Sequence, residues 1–241
     1  MILAVIFVIN KETVFANLLF DSPIEYNGIT FNPIRMNDIV RFQICQKSIT
    51  VMKDSTFMDK EIIKMTYFEF IKYCYGNFEL ALKYESKEIP FYYEWVITLL
   101  GMCCGVDCIK INEETLDIYI NDILVTSEMF DDIRRIIIIQ NDIDFDVDEF
   151  MNIDTYNALQ KAKEFELKKA KEKSNIEDYI DSLVIGLGVT EDYVKNLTVR
   201  KFWRYIKRLN QHEDYVGLKT AERSGFVTLK EPIKHWMTSI E

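Results

Sequence analysis

Apolar residues alternate with period two only in the front of this 241-residue chain, and beyond about residue 149 they recur at helical spacing. The clearest alternation is Ile109-Lys-Ile-Asn-Glu-Glu-Thr-Leu-Asp-Ile-Tyr-Ile-Asn-Asp-Ile-Leu-Val125. It breaks at Asn112 to Thr115 and at Asn121-Asp122, which predicts strand, turn, strand and a short third strand. Asn27-Gly28, between short apolar pieces, predicts a two-residue hairpin because both positions must accept positive φ. Pro33 has no N–H to donate, so the second strand ends there or lies at an edge. Helices are predicted between these strands. One is capped by Asn37 and starts an apolar face with Ile39, Val40, Phe42 and Ile44. The next runs from Asp59 to Tyr75 and stops at Gly76-Asn77. A third covers Phe91 to Met102, and a fourth, capped by Thr126 or Ser127, runs to Ile139. This order is an α+β pattern and lacks the βαβ rhythm of a nucleotide-binding sheet.

Two apolar stretches resemble membrane or targeting segments. Met1 to Ile9 falls short of the roughly 20 residues that span a bilayer, and Asn10-Lys11-Glu12 stands where a cleavage site would need small residues. It is read as a buried strand. Trp95 to Val106 is also too short and contains Gly101 and Gly105, so no membrane segment is expected.

The character of the chain changes near Asn141. Asp142 to Glu149 is an acidic linker, and the residues beyond it read as helix. Asp154 to Lys173 is laced with charge, and Ser174 with Glu177 forms a capping-box pattern for a helix ending at Gly186 to Gly188. Thr190 opens a short helix and Thr198 a longer one, and His212 to Arg223 is read as a last helix before Ser224-Gly225. The expected fold class is therefore α+β, with a mixed helix and short-strand domain over residues 1–148 and an all-helical domain over 149–241.

Chemical motifs are scarce. With 8 Gly and 4 Pro the chain has no Gly-rich phosphate loop, and neither G-x-x-x-x-G-K-[ST] nor G-x-S-x-G occurs. The five cysteines, Cys45, Cys74, Cys103, Cys104 and Cys108, are odd in number and irregularly spaced, which fits reduced thiols rather than a disulfide framework. The cluster at 103, 104 and 108 lacks the fourth ligand of a closed zinc site, with no histidine nearby. Asp142, Asp144, Asp146 and Asp148 alternate as in a calcium loop, but Val147 and Ile153 occupy the positions that need Gly and Glu. No catalytic, cofactor or metal residue is assigned, and no enzymatic role is expected.

Charge is unevenly distributed. The formal net charge is −10, yet from Lys195 onward there are ten basic and five acidic residues, which leaves −15 on the part before it. In the helix opening at Thr198, Val199, Phe202, Trp203, Ile206 and Leu209 fall in one arc, while Arg200, Lys201, Arg204, Lys207 and Arg208 fall in another. These five basic residues are the candidate partner-binding surface. Leu183, Gly188 and Val194 sit near helix-turn-helix spacing, so a DNA-binding regulator is an alternative reading. The acidic remainder of the chain disfavours nucleic acid.

Several stretches carry a family likeness: Ile176-Glu-Asp-Tyr-Ile-Asp-Ser-Leu183, Leu197-Thr-Val-Arg-Lys-Phe202, Tyr215, Ser224-Gly-Phe-Val and Lys230-Glu-Pro-Ile-Lys-His-Trp236. Together with Phe31 to Phe42 and Met65 to Phe70, they resemble phage proteins encoded in virion-assembly modules of phages that infect Gram-positive bacteria. The resemblance implies a tail-assembly protein of the chaperone type, which binds a helical tape-measure-type protein in the host cytoplasm. The chain is larger than the short chaperones of that kind and has a distinct α+β front. A structural neck, tail or baseplate component of the virion is therefore an alternative, and homo-oligomerisation is left open.

Overall fold

The computed structural model describes residues 16–145, 175–225 and 232–238, with 154–155, 158–159 and 161–162 between them. The strand read at Met1 to Ile9, the boundary at 148/149 and most of the helix read over 154–173 lie outside the described residues. The chain divides into two compact units. The first comprises residues 1–34 and 38–169; the second comprises 35–37 and 170–241.

Asn27 (φ 50°) and Gly28 (φ 80°) both take the left-handed conformation and close a hairpin between β1 (Ile24–Tyr26) and β2 (Ile29–Phe31). Two positive φ values give the turn a twist matching that of the strands. Further on, β3 (Ile109–Asn112), β4 (Asp117–Ile120) and β5 (Ile123–Leu124) form an antiparallel meander with Ile111 opposite Ile118 and Ile120 opposite Ile123. Ile118 and Ile120 are fully buried while Asp117 and Tyr119 are half-exposed, the alternation expected of a one-sided sheet. The first unit is thus mixed helix and short strand and the second helical, an α+β fold.

The helices that accompany these strands in the first unit include α1 (Ile39–Cys45), α2 (Lys53–Thr56), α3 (Lys60–Lys64), α4 (Tyr67–Cys74), α5 (Phe78–Lys83), α6 (Tyr92–Cys104) and α7 (Ser127–Gln140). Five differ from the sequence reading, which placed no helix at α2. Asn37 does not cap α1, since a 3-10 turn over Met36–Asp38 leads straight into it. Burial then recurs every third residue at Ile39, Phe42, Cys45 and Ser48, as the tighter 3-10 turn that continues α1 requires, so Val40 (63% exposed) and Ile44 (45%) face outward. The helix expected over Asp59 to Tyr75 is two helices. Asp59 caps α3, while Thr66 and Glu69 form a capping box on α4: Thr66 N–H donates to Glu69 Oε2 at 2.7 Å and Glu69 N–H to Thr66 Oγ1 at 3.3 Å. The box needs an extended backbone at its entrance, and that ends α3 at Met65. Gly76 (φ 63°) stops α4, and Asn77 immediately caps α5, a helix the sequence reading lacked.

The core of this unit is built around α6, whose Val96, Leu99, Leu100 and Cys103 are at most 1% exposed and which packs against α1, α4, β2 and β3. Thr126 caps α7 by accepting from Met129 N–H. Packed on α4, α7 also reaches distant backbone with its polar side chains. Arg134 Nε donates to Ile49 O at 2.6 Å, Gln140 Nε2 to Phe31 O at 2.8 Å, and Asn141, just past the helix end, accepts from Ile34 N–H at 3.0 Å. The Tyr26 hydroxyl donates to Asp132 at 2.6 Å.

Arg134 is 5% exposed, with its guanidinium 3.5 Å from the centroid of the Tyr67 ring. Tyr67 donates to Ser48 O and accepts from Val51 N–H, both at 3.0 Å, and burial pushes its phenol up to about 12. Burial also raises the Asp131 carboxyl above its ordinary value, against the opposing pull of Arg134, Arg135 and Lys53. Arg134→Ala is expected to cost about 3 kcal/mol, because it orphans a buried carbonyl and removes a desolvated cation–π contact. Arg134→Lys, lacking the planar fork, should recover about half of that at most. Urea denaturation of the three proteins checks both values.

Candidate functional site

The second unit contains three helices among its described residues: α8 (Ile176–Leu187), α9 (Glu191–Asn196) and α10 (Val199–Ser224). The capping box of α8 lies one residue later than the sequence suggested. Asn175 accepts from Asp178 N–H at 3.0 Å, and Asp178 accepts from Asn175 N–H at 2.7 Å. A shorter carboxylate at the third helical position spans the same gap as Glu. Gly188 ends α8 in the left-handed conformation (φ 64°). Thr190 caps α9 and Thr198 caps α10, each accepting from the backbone N–H three residues on. No break occurs at His212. The helix expected from there is the second half of the 26-residue α10, because nothing between Arg208 and Glu213 breaks the helical hydrogen bonds.

A small core holds the unit: Leu183, Val194, Leu197, Val199, Phe202 and Ile206 are all at most 7% exposed. Tyr179 meets Trp203 edge-on at 5.2 Å. A Cβ on Gly186 would stand 2.8 Å from Leu209 Cδ2, so α8 and α10 approach through a glycine. Residues 35–37 complete the unit: Arg35 pairs with Thr198 and donates to Asn196 O at 2.6 Å, and Met36 N–H donates to Leu197 O at 2.9 Å.

The five basic residues do not share one open face. Arg204 and Lys207 are exposed, whereas Arg200, Lys201 and Arg208 are partly covered. Arg208 holds the C-terminal segment, its Nη1 donating to the carbonyls of Trp236 and Thr238, the latter at 2.9 Å, and to Gln211 Oε1 at 3.1 Å. One turn on, His212 lies edge-on to Trp236 at 5.1 Å, and Tyr215 meets His235 at 5.0 Å. Arg208, His212 and Tyr215, spaced four and three apart, therefore form one stripe that clasps residues 232–238, with one histidine of the chain in the stripe and the other in the segment it holds. The sequence offered a signal for this in the pairing of a cationic and aromatic stripe with a Trp-bearing tail. Beyond Ile206 no residue of α10 is buried, and Val216 and Leu218 are 46% and 43% exposed.

As a helix-turn-helix, this arrangement is poor. A reading helix contacts base edges with its N-terminal residues, and α9 has six residues with Glu191 and Asp192 in the first turn, where they repel phosphate. Among the described residues no group of three or more His, Cys, Asp or Glu is placed to hold a metal ion. Burial and the neighbouring Cys108 push the Cys104 thiol up to about 12, away from the thiolate that ligation or nucleophilic attack needs. No helix among the described residues is long and apolar enough to cross a membrane.

Residues 168–241 match the family model of the YomV second domain. The family is phage-related, and the matched stretch begins two residues before Ala170, where the second unit resumes. Sequence likeness and compactness thus delimit the same region. No curated protein and no solved structure matches the chain.

Glycine substitutions in this unit are expected to act with opposite signs. Gly186→Val should destabilise it by about 1–3 kcal/mol through overpacking on Leu209, while Gly217→Ala, facing open space in mid-helix, should stabilise it by about 0.5–1 kcal/mol; thermal unfolding of the two variants checks both. Arg208→Ala should release residues 232–238, seen as faster amide exchange at Trp236 to Thr238 with α10 itself unchanged.

Proposed function

We propose that the chain is a non-enzymatic phage assembly protein that acts by docking a helical partner, in the manner of a tail-assembly chaperone for a tape-measure-type protein. The observation that carries the reading is the match of residues 168–241 to a phage-related domain. The form of α10 supports it: its first half is anchored in the core of the unit, and its second half has no buried residue and presents Val216 and Leu218. An exposed helix is the element used in helix-in-groove and helix-pairing recognition, and Val216 and Leu218, two positions apart, offer apolar contacts on different sides of it. This use needs no nucleophile, metal or cofactor.

Co-expression with the phage tape-measure-type protein tests the proposal. The native chain should co-purify with that protein and raise its soluble yield. Val216→Asp with Leu218→Asp should cut recovery by about tenfold without changing the helical circular dichroism signal. Absence of co-purification overturns the docking role. Mass spectrometry of purified particles separates the two assembly roles: a chaperone is missing from the particle, and a neck, tail or baseplate component is retained.

A further inference from the structure

The first unit contains a pocket of about 390 Å³, remote in sequence from the helices of the second unit. Tyr93, 2% exposed, lies at its base, and Tyr75, 46% exposed, stands beside it with ring centroids 5.2 Å apart at 55°. Ile97 of α6, Ile111 of β3 and Leu116 of the β3–β4 turn supply the apolar wall. The remaining lining residues are Glu94 and Glu113, both exposed. No lining residue is a cation, and neither carboxylate has an ion-pair partner among the described residues. The nearby Asp117 differs, being neutralised by Lys72 at 2.5 Å.

The turn that shapes the wall is held in an uncommon conformation. Leu116 has φ 56°, where a side chain with a Cβ is disfavoured, and the Tyr93 hydroxyl fixes it by donating to Leu116 O at 2.9 Å. The same bond links the buried aromatic ring to the apolar wall. A helix N-terminus accounts for Glu94, which lies in the first turn of α6, but not for Glu113 on the opposite side.

From this geometry we infer that the pocket binds an arginine side chain of a partner polypeptide, its guanidinium lying on the exposed Tyr75 ring and its charge met by Glu94 and Glu113. The volume is at the small end for a ligand pocket, which suits one long side chain rather than a helix. Arginine combines an apolar stem for Ile97, Ile111 and Leu116 with a planar cation that stacks on aromatic rings and pairs with carboxylates. The net charge of −12 on residues 1–34 and 38–169 draws a basic segment toward this unit over a longer range. The site lies in the first unit and is independent of the assembly reading, so either can fail without the other.

Titration of the isotope-labelled full chain with N-acetyl-arginine amide, followed by amide NMR, tests the inference. Saturable shifts are expected at Tyr75, Glu94 and Leu116. N-acetyl-norleucine amide should bind about fivefold more weakly, and Glu94→Gln with Glu113→Gln should weaken the arginine probe by about as much at an unchanged melting temperature. Equal binding of the norleucine probe makes the pocket a merely apolar crevice and overturns the inference, as does an absence of saturable shifts. Tetramethylammonium binding as tightly as the arginine probe also overturns it, because recognition would then be of any compact cation.

Discussion

The architecture of the first unit depends on polar side chains of α7 and its C-cap that reach backbone far away in sequence. Arg134 holds the carbonyl of Ile49, Gln140 that of Phe31, and Asn141 the N–H of Ile34. Ile34 lies outside any strand, Ile49 ends a 3-10 turn and Phe31 ends β2, and leaving such a buried group unpaired would cost about 1–3 kcal/mol. One helix thus satisfies the exit of the hairpin and the turn after α1. The guanidinium of Arg134 is in turn placed by the Tyr67 ring, whose hydroxyl bonds on both sides of the 48–51 segment. Apolar packing around α6 supplies the bulk of burial, and these directional bonds select which loops cover it.

In the second unit the deciding contact is a missing side chain. Gly186 lets α8 and α10 approach until Leu209 occupies the place of a Cβ, which joins the short core of Leu183, Val194, Phe202 and Ile206 to the middle of the long helix. Past that point the described contacts of α10 with the rest of its unit are those of the stripe that clasps residues 232–238. The basic residues that share one arc in sequence are thereby separated in use: Arg208 is committed to carbonyl groups, while Arg204 and Lys207 face solvent. Coincidence of the unit with the region matching a phage-related domain makes it a module in both the evolutionary and the physical sense.

Features governed by neighbours along the chain were legible. The Asn27-Gly28 turn, the meander over 109–124, the caps at Thr126, Thr190 and Thr198, and the stops at Gly76 and Gly188 all derive from φ preferences or from a hydroxyl satisfying a nearby N–H. Misreadings arose where two local signals competed. Thr66 and Glu69 formed a box inside an apolar run, and 3-10 turns on both sides of α1 changed the period of burial from 3.6 to three. The pocket over Tyr93 had no sequence signal, since its lining is drawn from Tyr75, from α6 and from the β3–β4 hairpin, three separate stretches of chain.

Local order along the chain was enough to set the α+β class, the confinement of strands to the front, the hairpin, most helix ends and the charge asymmetry, because each depends on residues within about one or two turns of one another or on composition alone. Long-range packing chose which polar groups would be buried and which would stay available. Arg134 and Arg208 have the same chemistry, but one lies on an aromatic ring in the core and the other clasps a tail. Glu94 and Glu113 are far apart in the sequence and line one pocket only because α6 and the β3–β4 turn border the same space. Pairing across long separations depends on how elements pack, and local propensity carries no record of that.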